Sequence, residues 1–141
     1  MQMSECVVVH GWGGEACIVA HQTGLVDFFE ESDGRPLPSD STSEFYWIII
    51  LEGTRIMAVG VIDIINRIIK DILVQKYHHR QKFGSGILFH LAQMFPGQTF
   101  QAKVPEHNLK SIRFFAKYTN NTSQSSSELL PPLHYHYVFQ T

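Results

Sequence analysis

Apolar and polar positions change rhythm several times along the chain, and each change marks an element. Phe45 to Leu51 is aromatic and β-branched, Glu52-Gly53-Thr54 is a turn signal, and Arg55 to Ile65 is a second apolar run. This pattern predicts a hairpin. Asn66-Arg67 offers another tight turn. Ile68 to Val74 is near-continuously apolar apart from Lys70 and Asp71, and predicts a third strand that completes a meander. From Gly84 to Phe95 the period lengthens. Ile87, Leu88, Leu91, Ala92, Met94 and Phe95 follow helical spacing until Pro96-Gly97 stops the run. Thr99 to Val104 reads as a short strand. Asn108 to Tyr118 reads as a second helix, with Leu109, Ile112, Phe115 and Ala116 on one face and Asn108 as N-cap. Asn120 to Ser127 is expected to be a polar loop. Leu133 to Phe139 alternates enough to close the sheet as the last strand.

The N-terminal part is read more coarsely. Cys6 to His10 predicts a strand and Gly11-Trp12-Gly13-Gly14 a turn or loop. Ala16 to Glu31 fits one amphipathic helix broken near Gly24. Asp33 to Glu44, with two prolines and small polar residues, reads as an exposed loop. After the N-terminus the order is β-β-β-α-β-α-β. Ile68 to Val104 is a strand–helix–strand unit, which usually makes a right-handed crossover between parallel strands. Hairpins join the other strands, so the expected class is α+β with a mixed sheet, in one domain spanning residues 1–141. No internal repeat is visible.

Composition narrows the class without choosing a substrate. The chain has 141 residues, 44% hydrophobic and 17% charged, enough for a core and unlike a disordered chain. Eleven Lys and Arg against thirteen Asp and Glu give a formal charge of -2, which argues against nucleic acid as a partner. Cys6 and Cys17 are too few for a disulfide framework, and Met1 to Glu5 has no basic leader. Apolar stretches such as Trp47 to Leu51 fall far short of the ~20 residues of a membrane helix. The expectation is a cytoplasmic protein with two thiols and no membrane partner.

The chemistry concentrates where the third strand runs into its helix, Val74-Gln75-Lys76-Tyr77-His78-His79-Arg80-Gln81-Lys82-Phe83-Gly84-Ser85-Gly86-Ile87-Leu88. A basic loop passing through glycines into a helix start suits a phosphate or pyrophosphate. The first helical N–H groups have no intrahelical acceptor, and the helix dipole is positive there. An ordinary joint with solvated charges fits the spacing equally well.

Ile68 to Tyr118 resembles the GNAT superfamily of acetyl-CoA-dependent N-acetyltransferases. The family's acetyl-CoA loop reads Arg or Gln, two residues, Gly, one residue, then Gly or Ala. Gln81-Lys82-Phe83-Gly84-Ser85-Gly86 matches it letter for letter. A second register sets Ile72-Leu73-Val74 on the family's apolar-x-Val strand end, His79 at the Arg/Gln position and Lys82 at the first glycine. This register fits the strand and helix better. Downstream, Val104 to Tyr118, with Asn108, Ser111, Ile112, Phe114-Phe115 and Lys117, is similar to the family's strand-end, Asn and helix motif.

The resemblance implies a GNAT-like sheet in which two parallel strands splay, with helices on both faces. It implies acetyl-CoA as co-substrate and no metal. Ile72, Leu73 and Val74 would pair with the pantetheine amides, and His79, Arg80, Gln81, Lys82, Phe83, Gly84, Ser85 and Gly86 would hold the pyrophosphate. Asn108 would contact the pantetheine arm or fix the helix start. The acceptor would be an amine on a small molecule or a peptide, attacking the thioester directly. Dimerisation across an exposed strand is common in the family, and Leu133 to Phe139 is the segment the sequence offers for it.

The chain departs from the family pattern at the acid and the base. The position of the family's thiolate-protonating Tyr is Phe115, which leaves Tyr118 one turn on. The strand Glu used as base is replaced near Ile68 or Lys70, with Asp71 and Asp63 the nearest carboxylates. Among eight histidines, His78, His107 and His134 are candidates for the base, while His134-x-His136 has no evident third partner for a metal. An acyl-CoA-binding module without turnover is the alternative function.

Overall fold

The structure is a computed structural model and describes residues 6–34, 36–37, 44–75, 82–119, 121–124 and 134–141, the 121–124 segment by its backbone alone. The chain divides into two compact units, Met1–Leu91 and Ala92–Thr141.

In the first unit four antiparallel strands lie in chain order: β1 (Cys6–Trp12), β2 (Tyr46–Glu52), β3 (Arg55–Asp63) and β4 (Ile68–Val74). Helices α1 (Ala16–Val19) and α2 (Gln22–Asp33) follow β1, and α3 (Phe83–Met94) follows β4, ending just past the unit boundary. Every side chain of β2 is buried or nearly so, which is why its sequence is a continuous apolar run rather than an alternation. One face of the strands, through Trp47, Ile49, Leu51, Val59 and Val61, packs with Ile18 of α1 and Leu25, Phe28 and Phe29 of α2. Ile56 joins that face because β3 carries an extra residue, Met57, between the pairs Ile50–Ala58 and Leu51–Ile56. Such a bulge resets the side-chain phase. On the other face α3 settles onto the sheet. A Cβ at Gly60 would lie only 2.4 Å from Ile87 Cγ2, and one at Gly86 would lie 3.2 Å from Ile50 Cδ1. Two glycines, one on each side, therefore permit this approach.

In the second unit β5 (Thr99–Pro105) and β6 (Asn121–Gln124) both pair antiparallel with β7 (His134–Gln140), which lies between them. Strand β5 alternates strictly, with Phe100, Ala102 and Val104 buried and Gln101 and Lys103 exposed. Helix α4 (Leu109–Tyr118) buries Phe115, which stacks on Tyr137 at 5.6 Å and 26°. The Tyr137 hydroxyl donates to the Ile112 carbonyl at 3.3 Å.

Several expectations need correcting. Gly11 and Trp12 belong to β1, because Gly11 pairs with Trp47 and Trp12 with Tyr46. The N-terminal helix breaks at Ala20-His21 and not at Gly24, which lies inside α2 with Ile56 Cδ1 3.3 Å from where its Cβ would be. The second strand of the meander ends at Asp63, where the Asp63 carboxylate takes the Asn66 backbone N–H (3.0 Å) and side-chain N–H (2.9 Å) and turns the chain. Asn121 to Gln124 is a strand where a loop was expected, since pairing with β7 satisfies its backbone whatever its side chains. Strand β7, the segment the sequence offers for a dimer edge, is paired with β5 along its length and with β6 at Tyr135 to Val138.

Candidate functional site

Strand β4 pairs with β3 through Leu73–Val59 and Val61–Asp71, and the ladder continues in the Gln75 N–H to Met57 carbonyl bond of 2.8 Å. Antiparallel bonds alternate along a strand. Leu73 and Gln75 therefore turn their backbone groups toward β3, while Ile72 and Val74 turn theirs away. Between Ile69 and Asp71 the register slips, leaving Lys70 as an extra residue. The Leu73 side chain packs against the α1–α2 core, and alternation sets half-buried Asp71 on that same face, opposite Ile72.

Beyond Gln75 the expected loop residues His79, Arg80 and Gln81 lie outside the described residues, as does His78. Description resumes at Lys82, whose φ of 61° is in the left-handed region that favours glycine. It is the residue that the second register sets at the family's first glycine. The Lys82 carbonyl accepts the Gly86 N–H (3.0 Å) and the Ser85 hydroxyl (2.9 Å), so it opens the helical ladder. This leaves the N–H groups of Phe83, Gly84 and Ser85 ahead of the ladder, at the positive end of α3. Phe83 is 0% exposed, so only its backbone can meet a ligand. Gly86 has its N–H engaged in the helix and its Cα against Ile50, a packing role.

In the second unit Asn108 caps α4, its Oδ1 accepting the Ser111 N–H at 3.3 Å, as its position predicts. Phe115 is 6% exposed and stacked on Tyr137, so the family's tyrosine position is here part of the core. Tyr118 instead leans on Phe114, ring centroids 5.1 Å apart, with Lys117 Nζ 5.3 Å above its ring. His107 is exposed beside the cap, and His134 and His136 share one face of β7, opposite Pro105 and Lys103. Among the described residues no group of three His, Cys, Asp or Glu is placed to hold a metal ion, and no helix is long and apolar enough to cross a membrane.

One polar group was not visible in the sequence. His10 Nδ1 and the Tyr46 hydroxyl are hydrogen-bonded at 2.5 Å, and Trp12 meets the Tyr46 ring edge-on at 5.5 Å. Burial, then the charges of Glu15 and Cys17, push the Tyr46 hydroxyl above its ordinary value. Burial first, then His10, holds His90 on α3 below the usual imidazole range. These residues are far apart in the chain, and only the β1–β2 register brings His10 to Tyr46.

A group with a depressed folded-state pKa favours folding above its unfolded value and loses that contribution as pH falls toward the folded one. For His90 the loss begins near about pH 6.5 and continues below it. Thermal melts of wild type are expected to weaken over that window. A His90→Gln variant, which cannot protonate, should show a shallower decline, and identical pH slopes would refute the assignment.

The chain matches the Acetyltransferase (GNAT) family over residues 15–119 and belongs to it. Among curated proteins none matches in a sequence comparison. Solved structures resemble the chain closely in fold. Arabidopsis thaliana Naa50, in complex with the bisubstrate analogue CoA-Ac-MVNAL, is 13% identical, with a TM-score of 0.65 over 97% of this chain and 99% of that one. A GNAT family acetyltransferase from Elizabethkingia anophelis with acetyl-CoA bound is 11% identical, with a TM-score of 0.63 over 97% and 99%. The ribosomal-protein-S18-alanine N-acetyltransferase from Escherichia coli is 9% identical, with a TM-score of 0.59 over 94% and 91%. The fold is thus the mixed α+β fold of GNAT acetyltransferases, as the sequence motifs imply.

Proposed function

We propose that the protein, acting as a single GNAT-like domain over residues 1–141, is an N-acetyltransferase that moves an acetyl group from acetyl-CoA to an amine. The observation that carries this reading is the start of α3. Three backbone N–H groups stand ahead of the helical ladder, after a left-handed Lys82, in a chain of this family. Those amides, with His79, Arg80, Gln81 and Lys82, would receive the pyrophosphate. The outward-turned groups of Ile72 and Val74 would pair with the pantetheine amides in the manner of an added strand. Asn108 is assigned to the pantetheine arm by its motif.

The acceptor nitrogen attacks the thioester carbonyl carbon, the carbonyl re-forms as the C–S bond breaks, and CoA leaves as its thiolate. The nitrogen gives up one proton in the process. His78, His107, His134 or Asp71 would take it, and Tyr118 is the hydroxyl left to return one to sulfur. The acceptor is an amine on a small molecule or a peptide; a ribosomal-protein-S18-alanine N-acetyltransferase among the structural neighbours supports including peptides in the search. We assign the reaction to the cytoplasm.

The buried, stacked Phe115 favours a second reading, an acyl-CoA-binding module without turnover. Calorimetric titration with acetyl-CoA and with CoA, followed by an amine and peptide library screened for thiol release, separates the two. Micromolar binding with thiol release is expected. Binding without release for any amine would select the second reading, and no binding to folded protein would overturn both.

A further inference from the structure

The β4 ladder slips between Ile69, opposite Ile62, and Asp71, opposite Val61. Residues directly opposite across a ladder share a face. Ile72 lies opposite Gly60, whose face receives α3, and Ile62 is two residues from Gly60 on that face. Ile69 and Ile72 therefore both face α3, which puts the two side chains between them, Lys70 and Asp71, together on the opposite face. In an unbroken strand they would point apart. The position of Lys70 supports this independently. Its Nζ stands 5.7 Å above the ring of Phe45, and Phe45 packs against the α1–α2 core. Lys70 is exposed, and the carboxylate it influences is that of Asp63. Burial pushes the Asp63 carboxyl up, and the Asn66 bonds and then Lys70 outweigh this and hold it below its ordinary value. Asn66 already binds both Asp63 oxygens, at 3.0 and 2.9 Å. The ammonium is thus steadied by an aromatic face.

On the acetyltransferase reading above, the pantetheine runs from the α3 start past Val74 to Ile72. The thioester then lies beyond Ile72, toward the Lys70–Asp71 step, which is two residues or roughly 7 Å further along the strand. We propose, resting on that reading, that Lys70 binds a carboxylate carried by the acceptor next to the amine that is acetylated. A plain amine arrives as an ammonium and is repelled by the Lys70 charge. A carboxylate beside the amine reverses the sign of that encounter. Asp71, on the same face, offers its carboxylate to the nitrogen. Two sources supply this chemistry: the α-carboxylate of a free amino acid, and the side chain of a peptide that begins with Asp or Glu. A polyamine lacks it.

Acetyl transfer to paired acceptors that differ in that carboxylate tests this: free amino acids against their amides, and peptides beginning with Asp against the same peptides beginning with Asn. Calorimetric titration of these acceptors into the CoA complex reads recognition without turnover. The wild-type ratio of kcat/KM between the members of at least one pair is expected to fall by about tenfold in Lys70→Met, mainly through KM, and to hold in Lys70→Arg. The pair that responds identifies the source of the carboxylate. Added salt should shrink the wild-type ratio, because Lys70 is exposed. Both variants should give the wild-type circular dichroism spectrum and wild-type affinity for acetyl-CoA. A ratio that Lys70→Met leaves unchanged in both pairs, in transfer and in binding, overturns the proposal while the acetyltransferase reading stands. Acetyl-CoA binding with neither binding of nor transfer to any acceptor overturns both.

Discussion

Ser85→Asp is expected to weaken acetyl-CoA binding by about ten- to hundredfold while changing stability by no more than about 1 kcal/mol. Ser85 is half-buried in the first turn of α3, where a carboxylate interacts favourably with the helix dipole by about 0.3–1 kcal/mol, and this offsets the loss of the hydroxyl's hydrogen bond to the Lys82 carbonyl. The same carboxylate would face an incoming pyrophosphate. Unit charges 4 Å apart repel by about 4 kcal/mol at an effective dielectric near 20, and screening by water and salt reduces that to the range of about 1.4–3 kcal/mol. Calorimetry with acetyl-CoA and a thermal melt on the same preparation give both readouts. Unchanged affinity in a variant whose melt shows it folded would mean that the helix start holds no phosphate. A bulky residue at Gly84 is a poorer probe, because Gly84 is buried and the change would disturb packing as well as binding.

Gly60→Ala is expected to destabilise the first unit by about 3 kcal/mol, at the upper end of ordinary overpacking. The new methyl would lie 2.4 Å from Ile87 Cγ2, an atom one bond from the helix residue's Cβ, so neither side can swing aside. Ile87→Leu moves the branch point outward and removes that atom. Alone it should cost less than about 1.5 kcal/mol, as volume-conserving swaps do. Combined with Gly60→Ala it should recover part of the loss, a coupling expected of residues in contact. Urea titrations of the two single variants and the double variant give the cycle. Strict additivity would mean that α3 does not press on β3 at this point.

This contact shows where legibility stops. The Ile68–Val74 strand is readable to the residue, because its largely β-branched, apolar run suits a strand and the turn before it is marked by Asn66-Arg67. The α4 cap at Asn108 is equally readable, since its side-chain oxygen needs only the N–H three residues on. By contrast, nothing local marks Gly60 as a packing glycine. It sits in an apolar run that is a strand with or without it, and its role comes from a helix residue 27 positions later, as the difference between Ile87 and Gly60 gives. The polar strand Asn121–Gln124 was invisible for the same reason: its pairing depends on β7 and not on its own composition. In sequence Phe115 is only a departure from the family pattern, and its stacking on Tyr137 shows that the side chain serves the core.

The sequence by itself determined the order of elements from Tyr46 onward, apart from β6, and the basic, glycine-bearing joint between β4 and α3. Its paired motifs also determined the family. These are local properties, carried by period, turn chemistry and spacing within a few residues. The tertiary structure decided which β4 amides face outward, which first-turn amides of α3 stand ahead of its ladder, and that β7 lies inside the sheet. It also decided that His10 meets Tyr46. Each of these depends on strand register or on a helix seated against a sheet, and such contacts join residues whose separation along the chain leaves no local trace.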